Sequence, residues 1–297
     1  MSNLDQPVVA IVGVGEMGAA VGKRLRLNGA RVCVSLNGRS AESARRVHAA
    51  GLDIIDDDSA LVRDADFVLS IVPPGVAIKV VEQYRSPLAD AQKQPIFADC
   101  NAVSPATASR IGEILAGCRC RYVDAGIIGG PPPEDVAQPG PRFYASGPHA
   151  HEFAKLGGYG LDIAVVDGPI GAASALKLSY AGITKGIIAL GTAMIAAAAR
   201  HGLADELRNE LARTQPQILK RLAHQVPGMF PKAYRWVAEM EEIAAYLDGD
   251  ERGAQIYRGA SRLYDHIAAE NKDHEAAGDL QSLIDFCKSA LDSPSGK

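Results

Sequence analysis

Three glycines near the start of the chain constrain its fold more than any other feature. They occupy the spacing G-x-G-x-x-G in the segment Gly13–Gly18, after the apolar run Val9–Val12 and before a helical pattern. The first glycine permits a tight turn, the second lets the backbone approach a pyrophosphate, and the third permits close packing of helix on strand. The new helix also directs unpaired N–H groups at phosphates. The pattern predicts dinucleotide binding rather than a turn used only for packing, with contacts from Gly13, Gly15, Glu16, Met17 and Gly18.

Short apolar runs alternate with amphipathic stretches over residues 7–125. The predicted strands are Val8–Val12, Arg31–Leu36, Phe67–Val72, Ile96–Asp99 and Arg121–Asp124. The predicted helices between them are Met17–Asn28, Ala41–Ala50, Val76–Tyr84 and Pro105–Ala116. Strands that alternate with helices over short connections predict a parallel sheet covered on both faces. Two further strands are predicted at Arg142–Ser146 and Asp162–Val166.

The pattern changes at Pro169, after which it is helical almost throughout. We therefore predict an α/β protein with an N-terminal Rossmann domain over residues 1–168 and an all-α C-terminal domain over residues 169–297. The first helix of the second domain is expected to run from Pro169 to Arg200. Its many glycines and alanines would let other helices approach closely, which predicts the central buried helix of that domain. The domain has more apolar surface than its own core needs, which predicts a homodimer.

Composition excludes several classes of protein. The chain carries 31 Lys and Arg against 35 Asp and Glu, so neither a nucleic-acid face nor a polybasic membrane patch is expected. The apolar stretch Gly186–Ala199 is shorter than the about 20 residues of a membrane span, and Met1–Pro7 lacks the pattern of a signal peptide. The five cysteines have no paired metal-ligand spacing. They predict reduced thiols in a cytoplasmic protein without a metal.

The end of the second strand predicts which dinucleotide binds. An NAD site usually has an Asp or Glu about 20 residues after the glycines, which accepts from the ribose 2′-OH. After Glu16, the first acidic residue of this chain is Glu42. The strand is followed instead by Asn37, Arg39 and Ser40, and the last two can donate to a 2′-phosphate. NADP is therefore expected, and a solvated surface charge is the alternative role for Arg39.

Two more strand ends are expected beside the ribose and nicotinamide, because ligands of doubly wound folds bind beyond the carboxyl ends of strands. Val72 ends one of these strands and is followed by Pro73 and Pro74, and Asn101 follows the next strand. Asn101 is explained equally well as an Asx turn residue before a helix.

Lys177 is the best-placed acid/base group of the predicted second domain. Its neighbours Ala175, Leu176 and Leu178 are apolar and argue against the full exposure that most lysines have. A buried lysine beside a nicotinamide can have its pKa lowered towards neutrality, where it can exchange a proton with an alcohol oxygen. Lys185 lies on roughly the same helix face and is the alternative.

Four segments resemble the β-hydroxyacid dehydrogenase superfamily, the group of 3-hydroxyisobutyrate and 6-phosphogluconate dehydrogenases, and the likeness covers nearly the whole chain. They are Gly13–Gly18, Asp99–Pro105, Asp124–Gly130 and Gly171–Lys177. The segment around Lys177 is similar to a poorly characterised, phosphogluconate-dehydrogenase-like branch. The resemblance implies a Rossmann domain, a helical domain involved in dimerisation, and a lysine that assists proton transfer at the substrate oxygen. Asp124 is expected to fix its loop by accepting from backbone N–H groups.

The chain departs from the pattern of that superfamily at three places. Ile128 stands where a serine helps to hold a substrate carboxylate, and Tyr180 and Ala181 replace two asparagines that follow the lysine. Glu241-Glu242 corresponds to a Lys-Asp pair. These changes predict a less polar carbonyl substrate, larger or aromatic, with Tyr180 filling the pocket or serving as an auxiliary acid. Substrate contacts are predicted at Asn101, Ile128, Gly129, Gly130, Tyr180, Trp236 and Met240.

The sequence therefore predicts an NADP-dependent oxidoreductase that interconverts a hydroxy compound and its carbonyl, with its site between the two domains. An imine reductase and a non-catalytic NADP-binding interaction protein are the alternatives. Relatives of both kinds often lack the superfamily lysine, so the presence of Lys177 favours carbonyl chemistry.

Overall fold

The computed structural model describes residues 6–135, 137–247, 249–272 and 278–292. The chain divides into two compact units, Met1–Leu178 and Ser179–Lys297. The first is built around a sheet with helices, and the second is helical. The predicted α/β class, with a Rossmann domain followed by a helical region, is confirmed.

The sheet of the first unit has eight strands. They are β1 (Val8–Val12), β2 (Arg31–Ser35), β3 (Asp53–Ile55), β4 (Phe67–Ser70), β5 (Ile96–Asp99), β6 (Arg121–Ile128), β7 (Arg142–Ser146) and β8 (Asp162–Val165). Their order across the sheet is β3-β2-β1-β4-β5-β6-β7-β8. The direction of winding reverses between β1 and β4, which is the switch point where doubly wound folds bind their ligands.

The parallel sheet predicted from residues 7–125 is confirmed, and one pair, which includes the later strand β7, differs in direction. β6 and β7 are antiparallel, whereas the other neighbouring pairs are parallel. Parallel neighbours need a crossover connection, usually a helix. The described residues of the segment 129–141, which joins β6 to β7, form no helix. The chain therefore returns directly and in the opposite direction.

Six helices belong wholly to the first unit: α1 (Glu16–Leu27), α2 (Ala41–Ala50), α3 (Asp58–Arg63), α4 (Ala77–Ala89), α5 (Pro105–Leu115) and α6 (Ala150–Phe153). The side chains of β1 alternate between two buried clusters. Val9 and Ile11 belong to one cluster, and Ala10 and Val12 belong to the other. Both faces of the sheet are therefore covered, as the alternating pattern predicted.

The sequence analysis missed β3, α3 and the short helix α6. β3 has only three residues and none of them is buried, so it lacks the apolar run that marks a strand. The acidic run Asp56–Asp58 that follows is typical of a loop. In the structure Asp57 starts α3 by accepting a hydrogen bond from the Ala60 N–H at 2.7 Å. These aspartates thus cap a helix rather than interrupt one.

The second unit consists of most of α7 (Ala172–Arg200) followed by α8 (Ala204–Thr214), α9 (Pro216–Met229), α10 (Ala233–Tyr246), α11 (Glu251–Lys272) and α12 (Asp279–Asp292). The division between the units falls after Leu178, inside α7, rather than after Gly168. α7 also begins at Ala172 rather than at Pro169. Its first turn is hydrogen-bonded to the sheet, which assigns that turn to the first unit.

The small residues of α7 let other helices approach closely, as predicted. A Cβ on Gly191 would lie 2.4 Å from Leu222 of α9, and one on Gly182 would lie 3.0 Å from the Tyr257 hydroxyl of α11. The opposite face is not buried, since Ile183 and Leu190 are more than 60% exposed. α7 is therefore half-covered, which corrects the prediction of a central buried helix.

α7 is long and apolar enough to cross a membrane, judged by length and composition alone. This corrects the expectation from the shorter stretch Gly186–Ala199. Its side chains Ile188 and Ile195 are buried inside the protein. A core helix of a folded protein meets the same criteria, and the cytoplasmic location remains a prediction.

Candidate active site

The carboxyl ends of β1, β4 and β5 form one level row, which continues across the sheet at Asp124 of β6 and Ser146 of β7. Val12 of β1 lies opposite Ser70 of β4, which lies opposite Asp99 of β5. Asp99 in turn lies opposite Asp124 of β6, and Asp124 opposite Ser146 of β7. In doubly wound folds, ligands bind beyond this edge of the sheet. The predicted glycine turn, Asn101 and Lys177 all belong to it.

The glycine turn, Gly13–Gly18, begins directly after Val12, where β1 ends. Gly13 has a φ of +97°, and a Cβ there would lie 2.3 Å from the Ile71 carbonyl oxygen. A Cβ on Gly18 would lie 2.0 Å from the Gly13 carbonyl oxygen. Gly15 is exposed and a Cβ on it would meet nothing within 4 Å. The fold itself requires Gly13 and Gly18, whereas Gly15 keeps open a space beside the start of α1.

This space fits a dinucleotide pyrophosphate. The N-cap residue of α1 is Gly15, which has no side chain to accept hydrogen bonds from the first N–H groups of the helix. Those N–H groups and the positive end of the helix dipole favour an anion. Glu16 is exposed in the first turn, and Met17 packs against the core of the sheet.

We expect Gly15→Val to weaken the binding of a reduced nicotinamide dinucleotide by at least about tenfold, roughly 1.4 kcal/mol, with little change in melting temperature. The added side chain fills only open space in the protein but would meet the bound phosphates. Gly18→Ala is the contrasting variant, and its melting temperature should fall because its Cβ meets backbone. Fluorescence titration and thermal unfolding measure both effects. Wild-type affinity in Gly15→Val would contradict the assignment of this turn.

The segment after β2 presents polar groups on the surface. Ser40 caps α2 by accepting from the Ser43 N–H at 3.2 Å, and the Asn37 N–H donates to the Ser35 hydroxyl at 3.3 Å. Arg39 is exposed, and within the described chain no hydrogen bond or ion pair engages its guanidinium. Arg39 is therefore accessible to a ligand, whereas the Ser40 hydroxyl already has a structural role.

Asn101 joins the ends of β4 and β5. Its Oδ1 accepts from the Val72 N–H at 2.6 Å, and its Nδ2 donates to the Ser70 hydroxyl at 3.1 Å and to the Asp99 carboxylate. The side chain is buried. These contacts fix the backbone from Val72 to Pro73, at the predicted nicotinamide edge. Asn101 is thus a long-range tie between two strand ends rather than a local Asx turn.

Cys100, between Asp99 and Asn101, is not an acid/base candidate. Burial raises the pKa of its thiol well above the usual value, and the charges of Asp99 and Asp124 raise it further. The five cysteines are all free. No group of three or more His, Cys, Asp or Glu side chains suited to a metal ion occurs in the described part of the chain.

Lys177 lies against the part of β6 that extends beyond the level row. Its Nζ donates to the Ile127 carbonyl oxygen at 2.6 Å. A Cβ on Gly126 would lie 2.9 Å from the Lys177 Cβ, so this glycine gives the lysine stem room on the strand. The side chain is half-buried, as its apolar neighbours predicted.

Asp124 anchors the beginning of α7 to the sheet. Its fully buried carboxylate accepts from the Gly171 N–H at 2.9 Å, the Ser174 N–H at 3.0 Å and the Ser174 hydroxyl at 2.5 Å. The Ser146 hydroxyl donates to Asp124 at 2.9 Å and accepts from the Ala173 N–H at 3.0 Å. The interpretation that Asp124 accepts from backbone N–H groups is confirmed, although these groups belong to a helix start and not to its own loop.

The loop after β6 carries the paired glycines. Gly129 has a φ of +128°, and a Cβ on it would lie 3.1 Å from Pro141, whereas Gly130 is exposed with open space around it. Ile128 is partly exposed at the end of β6. The described residues of this loop are held by Arg24 of α1, a buried residue that the sequence analysis missed. Arg24 donates to the Gln138 and Pro133 carbonyl oxygens at 3.0 and 3.3 Å.

The remaining predicted residues lie in the second unit. Lys185 forms an ion pair with Glu239, and its Nζ lies 5.0 Å from the centroid of the Trp236 ring. This partner gives Lys185 a structural role that competes with the alternative acid/base role. Tyr180 is half exposed on α7. Met240 is completely buried, which makes it a core residue of this unit in the structure.

Comparison with known families identifies the first unit. The NAD binding domain of 6-phosphogluconate dehydrogenase matches residues 8–157, and a domain of unknown function, DUF1932, matches residues 198–267. The glycine turn and sheet order therefore define a Rossmann domain for a nicotinamide dinucleotide. The chain belongs to the β-hydroxyacid dehydrogenase superfamily, as its motifs predicted.

Two relatives match most of the chain. The uncharacterised 28.5 kDa protein in the 7S RNA 5′ region of Methanothermus fervidus is 25% identical over 260 residues, which cover 87% of this chain and 98% of that protein. A conserved protein of unknown function, described as structurally similar to 3-hydroxyacid dehydrogenases, is 29% identical with a TM-score of 0.63. The match covers 89% of this chain and 98% of that one.

Two further structures share the fold at lower identity. Mycobacterium tuberculosis 3-hydroxyisobutyrate dehydrogenase, solved with L-serine, is 19% identical with a TM-score of 0.69, covering 97% of this chain and 100% of that one. An imine reductase from Myxococcus stipitatus, in complex with NADP⁺, is 17% identical with a TM-score of 0.54, covering 94% and 99%. Both likenesses concern the fold alone.

Proposed function

We propose that the protein is an NADP-dependent oxidoreductase that interconverts a hydroxy compound and its carbonyl, with Lys177 as general acid/base. The observation that carries this proposal is the placement of Lys177. Its Nζ is held by the Ile127 carbonyl oxygen on β6, beyond the carboxyl ends of the strands. This is the edge at which the glycine turn favours a dinucleotide.

The chemistry divides between cofactor and protein. A nicotinamide bound at this edge would supply the hydride exchange with the substrate carbon. In the reducing direction Lys177 donates a proton to the substrate oxygen as its charge develops, and in the oxidising direction it accepts that proton. The Ile127 carbonyl oxygen orients the ammonium, and the absence of a side chain on Gly126 lets the lysine stem lie flat on the strand.

We expect NADPH to bind at least ten times more tightly than NADH, about 1.4 kcal/mol. Arg39 is accessible at the end of β2, and no acidic residue between Glu16 and Glu42 repels a 2′-phosphate. Arg39→Ala should remove most of this preference, whereas Arg119→Ala, which alters an exposed arginine in the turn before β6, should keep it. Fluorescence titration of both cofactors measures the ratio of their dissociation constants. Equal or reversed affinities would refute the predicted preference for NADPH.

A screen for NADPH oxidation tests the reaction itself. The substrates are 3-oxo acids, aryl ketones, aldehydes and cyclic imines. Ile128 and Tyr180 favour a less polar carbonyl compound over a small hydroxyacid, since both replace residues that would hold polar substrate groups. Turnover of imines alone would favour the second candidate, an imine reductase, whose fold this chain shares. Binding of NADPH without turnover of any class would favour a non-catalytic NADP-binding protein.

We also propose a homodimer, built through the exposed face of α7. Ile183, Leu190 and Met194 are each more than 60% exposed, and such contiguous apolar surface usually marks an interface. Light scattering at micromolar concentration should give twice the chain mass of 31.2 kDa. The double variant Ile183→Glu/Leu190→Glu should give the monomer, and Leu203→Glu, at an exposed leucine outside α7, should not. A monomeric wild-type protein would overturn this proposal.

A further inference from the structure

A cavity of about 400 Å³ opens on the first unit at the amino edge of the sheet. Pro7, Phe67, Ile96 and Arg121 line it, and they stand at the starts of β1, β4, β5 and β6. The glycine turn and Lys177 belong to the carboxyl ends of the same strands. The cavity is therefore separate from the proposed active site, at the opposite edge of the sheet.

The inner wall of the cavity is apolar. Ile96 and Leu156 are buried, and Phe67 and the ring of Tyr159 pack against the core of the sheet. Ligand pockets combine such walls with a few polar groups and typically measure about 300–1,000 Å³. This volume and this wall suit a molecule with an apolar body rather than an isolated inorganic ion.

The two carboxylates on the rim are already engaged. Asp66 accepts from the Lys93 ammonium at 2.7 Å and from the Val8 N–H at 2.9 Å, one on each oxygen. Glu152 accepts from Arg121 on one oxygen and contacts His149 at 3.0 Å with the other. The hydrogen bond from His149, with smaller effects of nearby cations, holds the pKa of Glu152 below its usual value. Each carboxylate therefore already accepts on both of its oxygens.

The cationic side chains on the rim outnumber the two carboxylates. Lys93, Arg121 and Lys155 carry three positive charges against the two carboxylates, which leaves a formal charge of +1. In the described residues, no hydrogen bond or ion pair engages the exposed Lys155 ammonium or the Tyr159 hydroxyl. A surplus positive charge together with unused donors favours a ligand group that is anionic and accepts hydrogen bonds.

We propose that this cavity is a second ligand site, which binds a small monocarboxylate with an aromatic or branched apolar body. One carboxylate neutralises the surplus charge, whereas a phosphate dianion would exceed it. The carboxylate lies between Lys155 and the Tyr159 hydroxyl, and the body lies on Ile96 and Leu156. Because a dinucleotide occupies the other edge of the sheet, both ligands bind at once.

Benzoate is the probe, titrated calorimetrically into the full-length protein with and without saturating NADPH. We expect benzoate to bind in both conditions, and benzamide, its neutral analogue, at least about tenfold more weakly. Lys155→Met should weaken benzoate binding by about tenfold, and Tyr159→Phe by about threefold. Lys79→Met is the matched control, since Lys79 is exposed on α4 away from the cavity, and it should leave the affinity unchanged.

Three results would overturn the site. They are no heat of benzoate binding at millimolar concentration, equal affinity in wild type and Lys155→Met, and competition between benzoate and NADPH. The last result would place benzoate at the dinucleotide edge. Thermal unfolding of each variant checks that the fold is intact. Neither change should lower the melting temperature, because Lys155 is exposed and Tyr159→Phe is conservative.

Discussion

Replacement of Lys177 by methionine is expected to lower kcat by about 10²–10⁴, the usual contribution of general acid/base catalysis. NADPH affinity should change by less than about threefold. Methionine keeps the apolar stem that packs against Gly126 but removes the ammonium that Ile127 orients. The glycine turn follows β1, whereas Lys177 lies on α7, so proton transfer and cofactor binding should separate. Steady-state kinetics on a substrate from the screen, with fluorescence titration of NADPH, measure the two effects.

The choice of control follows from the ion pairs of the second unit. Lys185→Met is unsuitable because it would break the ion pair with Glu239 at a site where both side chains are only 15% exposed, and breaking such a pair is destabilising. Lys220→Met on α9 changes an exposed lysine and should keep wild-type kcat. If Lys177→Met retains more than about a tenth of kcat while chemistry limits turnover, the acid/base group lies elsewhere. The imine-reductase and binding-protein alternatives would then move ahead.

Local signals predicted much of the fold and of the cofactor edge. The bounds of β1, β5, β7 and α2 follow from apolar runs and caps that lie within a few residues of each element. The glycine spacing predicts the position of the turn because nearby atoms or a ligand leave no room for a side chain at these positions. At Gly13 and Gly18 those nearby atoms are backbone atoms that no side chain could avoid.

Long-range ties could not be predicted in the same way. The sequence indicates a loop residue at Asp124 and a helix residue at Ser174, because the two are fifty positions apart and no local pattern shows their contact. The sequence therefore predicts a domain boundary after Gly168, since no local signal shows that the first turn of α7 is hydrogen-bonded to the sheet. Arg24 gave a weak signal, a basic residue among the buried positions of α1.

Replacement of Asp124 by alanine is expected to destabilise the first unit by about 3–5 kcal/mol. The change leaves two backbone N–H groups and two hydroxyls without a buried acceptor, and each unsatisfied group costs about 1–3 kcal/mol before relaxation. It also removes the negative charge from the positive end of α7. Amide hydrogen exchange measures the effect at the bonds concerned, since the Gly171 and Ser174 amides should lose protection first.

Asp162→Ala is the matched control. Asp162 pairs with Arg142 at 2.8 Å on the exposed side of β8, and surface pairs contribute only about 0–1 kcal/mol. Unchanged protection of Gly171 and Ser174 in Asp124→Ala would show that other contacts hold the helix start. If protection is lost, kcat should fall as well, because Lys177 lies one turn beyond Ser174 on the same helix. The hydrogen bonds of Asp124 would then both stabilise the start of α7 and position the proposed acid/base group.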